Sequence, residues 1–113
     1  MSDKEWQVIQ ISDVQDQLQG NPAEYLEFLR VPSLSCGLYR LCAGSKDLQG
    51  SHDEDEVYFV VAGKGQLRVN DDVQQVRPGS VLYIRAEAKH SFFEIEEDMT
   101  LLVVFAANLS RPV

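Results

Sequence analysis

The stretch Gly44-Ser-Lys-Asp-Leu-Gln-Gly50-Ser-His52-Asp-Glu-Asp-Glu56-Val-Tyr-Phe-Val-Val-Ala-Gly63 holds a strong strand and one of the two histidines of the chain. Val57-Tyr58-Phe59-Val60-Val61 is β-branched and aromatic, the composition that packs best on a pleated surface. The acidic run before it makes poor strand interior. In one continuous strand, residues 52 and 56 would lie about 13 Å apart, too far to share a ligand. A turn through Asp53-Glu54-Asp55, with Glu56 opening the next strand, brings them together. A helix would do the same, but the β-branched run argues against one. Imidazole nitrogen with carboxylate oxygen suits a divalent metal. The same run also reads as a solvated acidic turn that contains a histidine.

Outward from this stretch, the pattern stays β from Ser33 on. The strand-like runs are Leu34–Cys42, Val57–Val61, Gln66–Val69, Val73–Val76, Ser80–Ile84, His90–Ile95 and Thr100–Ala106. Between them stand Ala43-Gly44, Gly63-Lys64-Gly65, Asn70-Asp71-Asp72, Arg77-Pro78-Gly79 and Glu96-Glu97-Asp98, which read as turns. Short strands at regular spacing, without long helices between them, predict a sandwich or barrel rather than a parallel α/β sheet.

Residues 1–32 read as an N-terminal lead-in that packs on the barrel or on a dimer partner, and 33–113 as the barrel itself. Trp6, Val8 and Ile11 suit a short edge strand, and Trp6 suits packing over a barrel end or a dimer contact. Ser12-Asp-Val-Gln15 has the form of a capping box, Val14 and Leu18 share a helical face, and Gly20 suits a stop. After Asn21-Pro22, Tyr25–Val31 fits either a helix or a strand; a short turn followed by a strand is the preferred reading.

The chain has 113 residues, enough for one domain with a real core, and a formal net charge of −8. That charge counts against nucleic acid and anionic membrane as partners, since phosphate contacts need clustered Lys and Arg. The polar start MSDKEWQ lacks the features of a signal peptide, and no apolar run reaches a membrane span, so the cytoplasm is the expected compartment. Cys36 and Cys42, six residues apart in a strand-like run, would sit roughly 20 Å apart, which predicts free thiols.

Two segments resemble the paired motifs of the cupin family. The first family motif runs Gly, five residues, His-x-His, three or four residues, Glu, six residues, Gly; Gly44, His52, Glu56 and Gly63 match it. The second runs Gly, five residues, Pro-x-Gly, two residues, His; Gly79 and His90 match it. The resemblance spans about residues 34 to 107 and implies an all-β cupin jelly-roll β-barrel with a short helical N-terminal lead-in. It implies a divalent metal ion (Fe, Mn, Ni or Zn) on His52, Glu56 and His90.

The departures are specific. Gly50 stands where the first motif histidine would be, Arg85 replaces Pro, Glu87 replaces Gly and Glu94 replaces a trailing Asn. At Gly50 either water or substrate fills the open place, or Gln49 or Glu54 swings in, or the site holds no metal. Glu54 is read as solvated, Arg40 and Arg85 as outward in preference to inward binders of an acidic substrate, and Tyr58 as inward, filling core in preference to lining a ligand pocket. One of Phe92 and Phe93 is expected in the core.

Function follows the family in two directions. One is a metal-dependent enzyme of dioxygenase or isomerase type acting on a small molecule, with no acid or base beyond the ligands identifiable from sequence. The other is a non-catalytic small-ligand or sensor protein with an incomplete metal site, or a structural dimer with a vestigial pocket. Fold alone does not choose between them. A homodimer is the expected assembly, with the lead-in available for strand exchange or edge pairing.

Overall fold

The computed structural model describes residues 5–47 and 50–107. One short helix, α1 (Ile11–Gln15), precedes six strands: β1 (Ala23–Val31), β2 (Leu34–Leu41), β3 (Glu56–Val69), β4 (Asp72–Val76), β5 (Val81–Ile84) and β6 (His90–Ala106). All pairings are antiparallel, in the order β1-β2-β6-β3-β4, with β5 also on β3. β3 therefore pairs with β6 along one edge, while its other edge takes β5 at the start and β4 at the end. The all-β expectation stands.

Alternation along the strands builds the core. On β3, Glu56, Tyr58 and Val60 are buried while Val57 and Phe59 face out. Opposite them on β6, Leu101 and Val103 are fully buried, and Tyr39 and Leu41 of β2 with Ile84 of β5 complete that layer. Each such side chain contributes about 1.5–3 kcal/mol on burial. The outer face of β2 is covered at Leu38, which is as buried as its inward neighbours.

Three local expectations are corrected. Gly63-Lys64-Gly65 and Glu96-Glu97-Asp98 are not turns between strands: β3 and β6 run through them, and the register shifts there in three steps. Bulges explain this, because they insert residues, bend the strand and keep the pairing alive on both sides. Gly63 has φ +87°, and a Cβ on it would run into the backbone carbonyl of Asp98. Trp6 and Val8 form no strand among the described residues, and Ile11 opens α1 instead. Trp6 is 73% exposed. The capping box is absent as well: Ser12 lies inside the helix, and Gln10 occupies the N-cap without a side-chain bond. The turn after α1 is tied instead by Glu24, whose carboxylate accepts the N–H groups of Gln19, Gly20 and Asn21.

Residues 23–31 of the lead-in form β1, which pairs with β2 along its length. Cys36 and Cys42 are free thiols, as expected. Among the described residues no helix is long and apolar enough to cross a membrane.

Candidate metal centre

Three elements bring the candidate ligands together. Glu56 is the first residue of β3 and points into the barrel, where it is 1% exposed. His90 is the first residue of β6 and is buried beside it. His52 comes from the loop between β2 and β3, with a bend at Asp53-Glu54 that returns the chain to Glu56. One ligand atom from each residue falls within 4.8 Å of the others, so this group could hold a metal ion.

The polar atoms fit a cation. Both Glu56 oxygens and His52 Nε2 are buried with no hydrogen-bond partner among the described residues. Burying a carboxylate without partners is costly, so a cation at this point would offset a real penalty. His90 Nε2 lies 3.1 Å from Glu56 Oε1, a close approach without hydrogen-bond alignment. His90 Nδ1 lies 3.0 Å from the Ala88 carbonyl. A carbonyl can only accept, so Nδ1 carries the proton and Nε2 is left facing Glu56. The His52 ring meets Phe105 edge-on at 4.9 Å and His90 at 6.0 Å between centroids.

Burial alone would lower the pKa of His90, but the Glu56 carboxylate and the Ala88 carbonyl outweigh it and hold the imidazole above its ordinary value. Burial, reinforced by the Glu56 charge, pushes the Tyr58 phenol up and keeps it protonated. Its hydroxyl lies 3.2 Å from His90 Nε2. Tyr58 is therefore core, as expected, and also touches the site. Strand parity pointed its side chain inward, but residue spacing carried no sign of the hydroxyl contact. Tyr25 is a residue that sequence reasoning did not place near the site. Its ring meets Tyr39 and Phe105 edge-on, and its hydroxyl is buried without a partner. Burial, with the nearby carboxylates of Glu27 and Glu56, pushes that phenol up to about 12. The ring lies over Gly37, where a Cβ would collide with it.

Backbone contacts lock the loop onto the second motif. The Glu87 N–H donates to the His52 carbonyl at 2.6 Å, and the Ala86 N–H donates to Asp55 Oδ1 at 2.8 Å. Glu87 adopts φ +67°, the left-handed conformation that the family's glycine takes without strain. Gly50 is exposed, with nothing within 4 Å of a would-be Cβ. Glu54 is half-buried and outside the converging group, and Gln49 lies outside the described residues. Arg40 is half-buried and pairs with Asp98 at 3.6 Å, and Arg85 is exposed. Phe92 is core, while Phe93 packs under Arg68 at 4.7 Å.

A profile of the cupin domain family matches residues 37–105, and the chain belongs to that family. The chain is similar to an uncharacterised protein of Streptomyces coelicolor, 43% identical over 96 residues that span 85% of this chain and 91% of the relative. Among solved structures it is similar to the DMSP lyase of Ruegeria pomeroyi, with a TM-score of 0.73 at 16% identity, over 85% of this chain and 54% of that one. It is also similar to a variant of salicylate 1,2-dioxygenase from Pseudoaminobacter salicylatoxidans in complex with gentisate. There the TM-score is 0.68 at 18% identity, over 74% of this chain and 25% of that one. At such identities the likeness is one of fold.

Proposed function

We propose that this cupin holds one divalent ion on His52, Glu56 and His90 and uses its open coordination positions to act on a small molecule. The observation that carries this reading is the convergence of three ligand atoms within 4.8 Å, with both carboxylate oxygens and His52 Nε2 buried and lacking a hydrogen-bond partner among the described residues. Two imidazoles and one carboxylate favour Fe, Mn, Ni or Zn over the hard cations. Such an ion would polarise a bound oxygen or carbonyl group. The residues supply the rest: the Ala88 carbonyl fixes the His90 tautomer, Phe105 supports the His52 ring, and buried Tyr58 excludes water from beside Glu56. The dioxygenase among the structural neighbours supports oxygen-dependent chemistry on a small acid, and the lyase supports a second, redox-neutral class. An isomerase-type reaction belongs with the latter.

Metal analysis of untagged protein tests the reading. We expect close to one equivalent in the wild type and none in His52→Ala. Less than about a tenth of an equivalent in the wild type, after reconstitution at tens of micromolar metal, would sink it. Oxygen consumption by the Fe(II) form with thiols, diketones and aromatic diols then separates oxygenase from redox-neutral enzyme or binder. The exposed Gly50 supports the non-catalytic alternative, because it contributes no fourth side chain. Absence of turnover with a metal-loaded protein would favour that alternative.

The assembly belongs to the same proposal. Val57 pairs with Tyr83 and Phe59 with Val81, and all four are exposed on one outer face. A contiguous apolar face of this kind supports a homodimer. Light scattering should give twice the chain mass, falling to one chain mass in Phe59→Glu.

A further inference from the structure

The β2–β6 ladder ends at the pair Leu41↔Met99, yet β6 continues back to His90. The chain after β2 keeps following that free edge without forming a strand. The Ala43 N–H donates to Asp98 Oδ1 at 2.7 Å, and the Gly44 N–H donates to the Ile95 carbonyl at 3.1 Å. Next, Asp47 Oδ2 accepts the Phe92 N–H at 2.8 Å. Each step advances along the loop as β6 retreats, so the antiparallel sense of the ladder is preserved. Its continuation brings His52 to His90, with ring centroids 6.0 Å apart.

Asp47 differs from the other ties because it grips two strands. Its Oδ1 accepts the Tyr39 hydroxyl of β2 at 2.5 Å, while Oδ2 holds the backbone of β6 two residues from His90. A carboxylate with both oxygens engaged on rigid elements fixes the loop against translation in two directions. Ordering a non-ladder segment costs backbone entropy at every residue, so an anchor here acts on the position of the histidine that follows. We infer that Asp47 is a positioning residue whose two-strand grip sets His52 opposite His90. This inference rests on the metal reading for its effect on affinity, but the ring placement can be measured without metal.

The chemistry separates position from charge. In Asp47→Asn the amide oxygen can still accept the Phe92 N–H, and the amide N–H₂ can donate to the Tyr39 oxygen, so the grip survives without the charge. Asp47→Ala loses both contacts, and Tyr39→Phe loses one. Titration with Zn(II) or Co(II) should give affinity about tenfold weaker in Asp47→Ala, with a smaller loss in Tyr39→Phe and near wild-type affinity in Asp47→Asn. In metal-free protein, the cross-relaxation between the His52 and Phe105 rings should be lost in Asp47→Ala and kept in Asp47→Asn. Asp47→Asn as weak as Asp47→Ala would overturn the inference in favour of a charge effect. Unchanged affinity and unchanged ring contacts in Asp47→Ala would overturn it outright. If Asp47→Ala does not fold, an unaltered Tyr39→Phe beside an impaired Asp47→Asn has the same consequence. A wild type that binds no metal while Asp47→Ala loses the ring contact would defeat the metal reading and leave the positioning role standing.

Discussion

The long β3–β6 ladder has two stretches that behave differently. From Glu56↔Phe105 to Val60↔Leu101 the pairing is one-to-one, and side chains alternate strictly between core and solvent. From Ala62↔Thr100 through Lys64↔Glu97 to Gln66↔Phe93, β6 spends more residues than β3. Beyond it the register is regular again, ending at Val69↔His90. A straight ladder would put His90 roughly 40 Å from Glu56. Instead their polar atoms are 3.1 Å apart. The regular stretch turns Glu56 inward, and the bulged stretch bends the ladder until its far end, with His90, meets it. One stretch sets orientation and the other sets distance.

The largest effect should come from breaking the bend. Gly63 combines φ +87° with contact against the Asp98 carbonyl, so Gly63→Ala meets strain and overlap together. We expect a loss of about 3 kcal/mol in chemical denaturation and a marked loss of metal affinity, although residue 63 touches no ligand. An alanine variant of wild-type stability would mean the bend is set elsewhere.

Next comes the regular stretch. Glu56→Gln keeps the shape and removes a carboxylate that is buried without a hydrogen-bond partner. The expected result is opposite in the two forms: metal affinity falls at least about a hundredfold, while the metal-free protein gains about 1 kcal/mol from the lost desolvation penalty. A metal-free variant less stable than wild type would show that the Glu56–His90 contact outweighs that penalty.

The same contrast explains what could be read in the sequence. Regular strands were legible because period-two alternation and β-branched composition mark them directly, as in Val57–Val61. His52, Glu56 and His90 were legible through two spaced motifs. The bulges at 63–65 and 96–98 carry the sequence signal of turns, because the residues that tolerate bends are the residues that make turns. Only the partner strand distinguishes the two, and Gly63 is decided by Asp98, far off in sequence. The Tyr58 and Asp47 contacts were illegible for the same reason. Near the N-terminus, Ser12 presents a capping pattern, but the N-cap falls two residues earlier, on Gln10.

A smaller effect is expected at the vacancy. Residue 50 lies in open space, so Gly50→His carries no steric cost. A third imidazole, reaching the ion as a fourth protein ligand, should tighten Zn(II) or Co(II) binding about tenfold and shift the Co(II) absorption toward a higher coordination number. Unchanged affinity would mean that residue 50 faces away, and that the open position belongs to water or substrate.

The mildest test is pH, and it distinguishes the two ends of the ladder by sign. His90 is held above its ordinary value in the metal-free protein, by Glu56 from the regular end and Ala88 beside it. A raised folded-state pKa contributes stability that is fully present below the unfolded value, about 6.5, and is lost as pH rises through the folded value. The melting temperature of metal-free wild type, measured relative to His90→Asn, should therefore decline across that window. Metal binding reverses the sign, because the ion competes with a proton for Nε2, so the increment on adding Zn(II) should grow over the same range. A metal increment that is flat in pH would leave His90 outside the coordination sphere. The folded ladder would then bring its ends together for the Glu56–His90 contact alone.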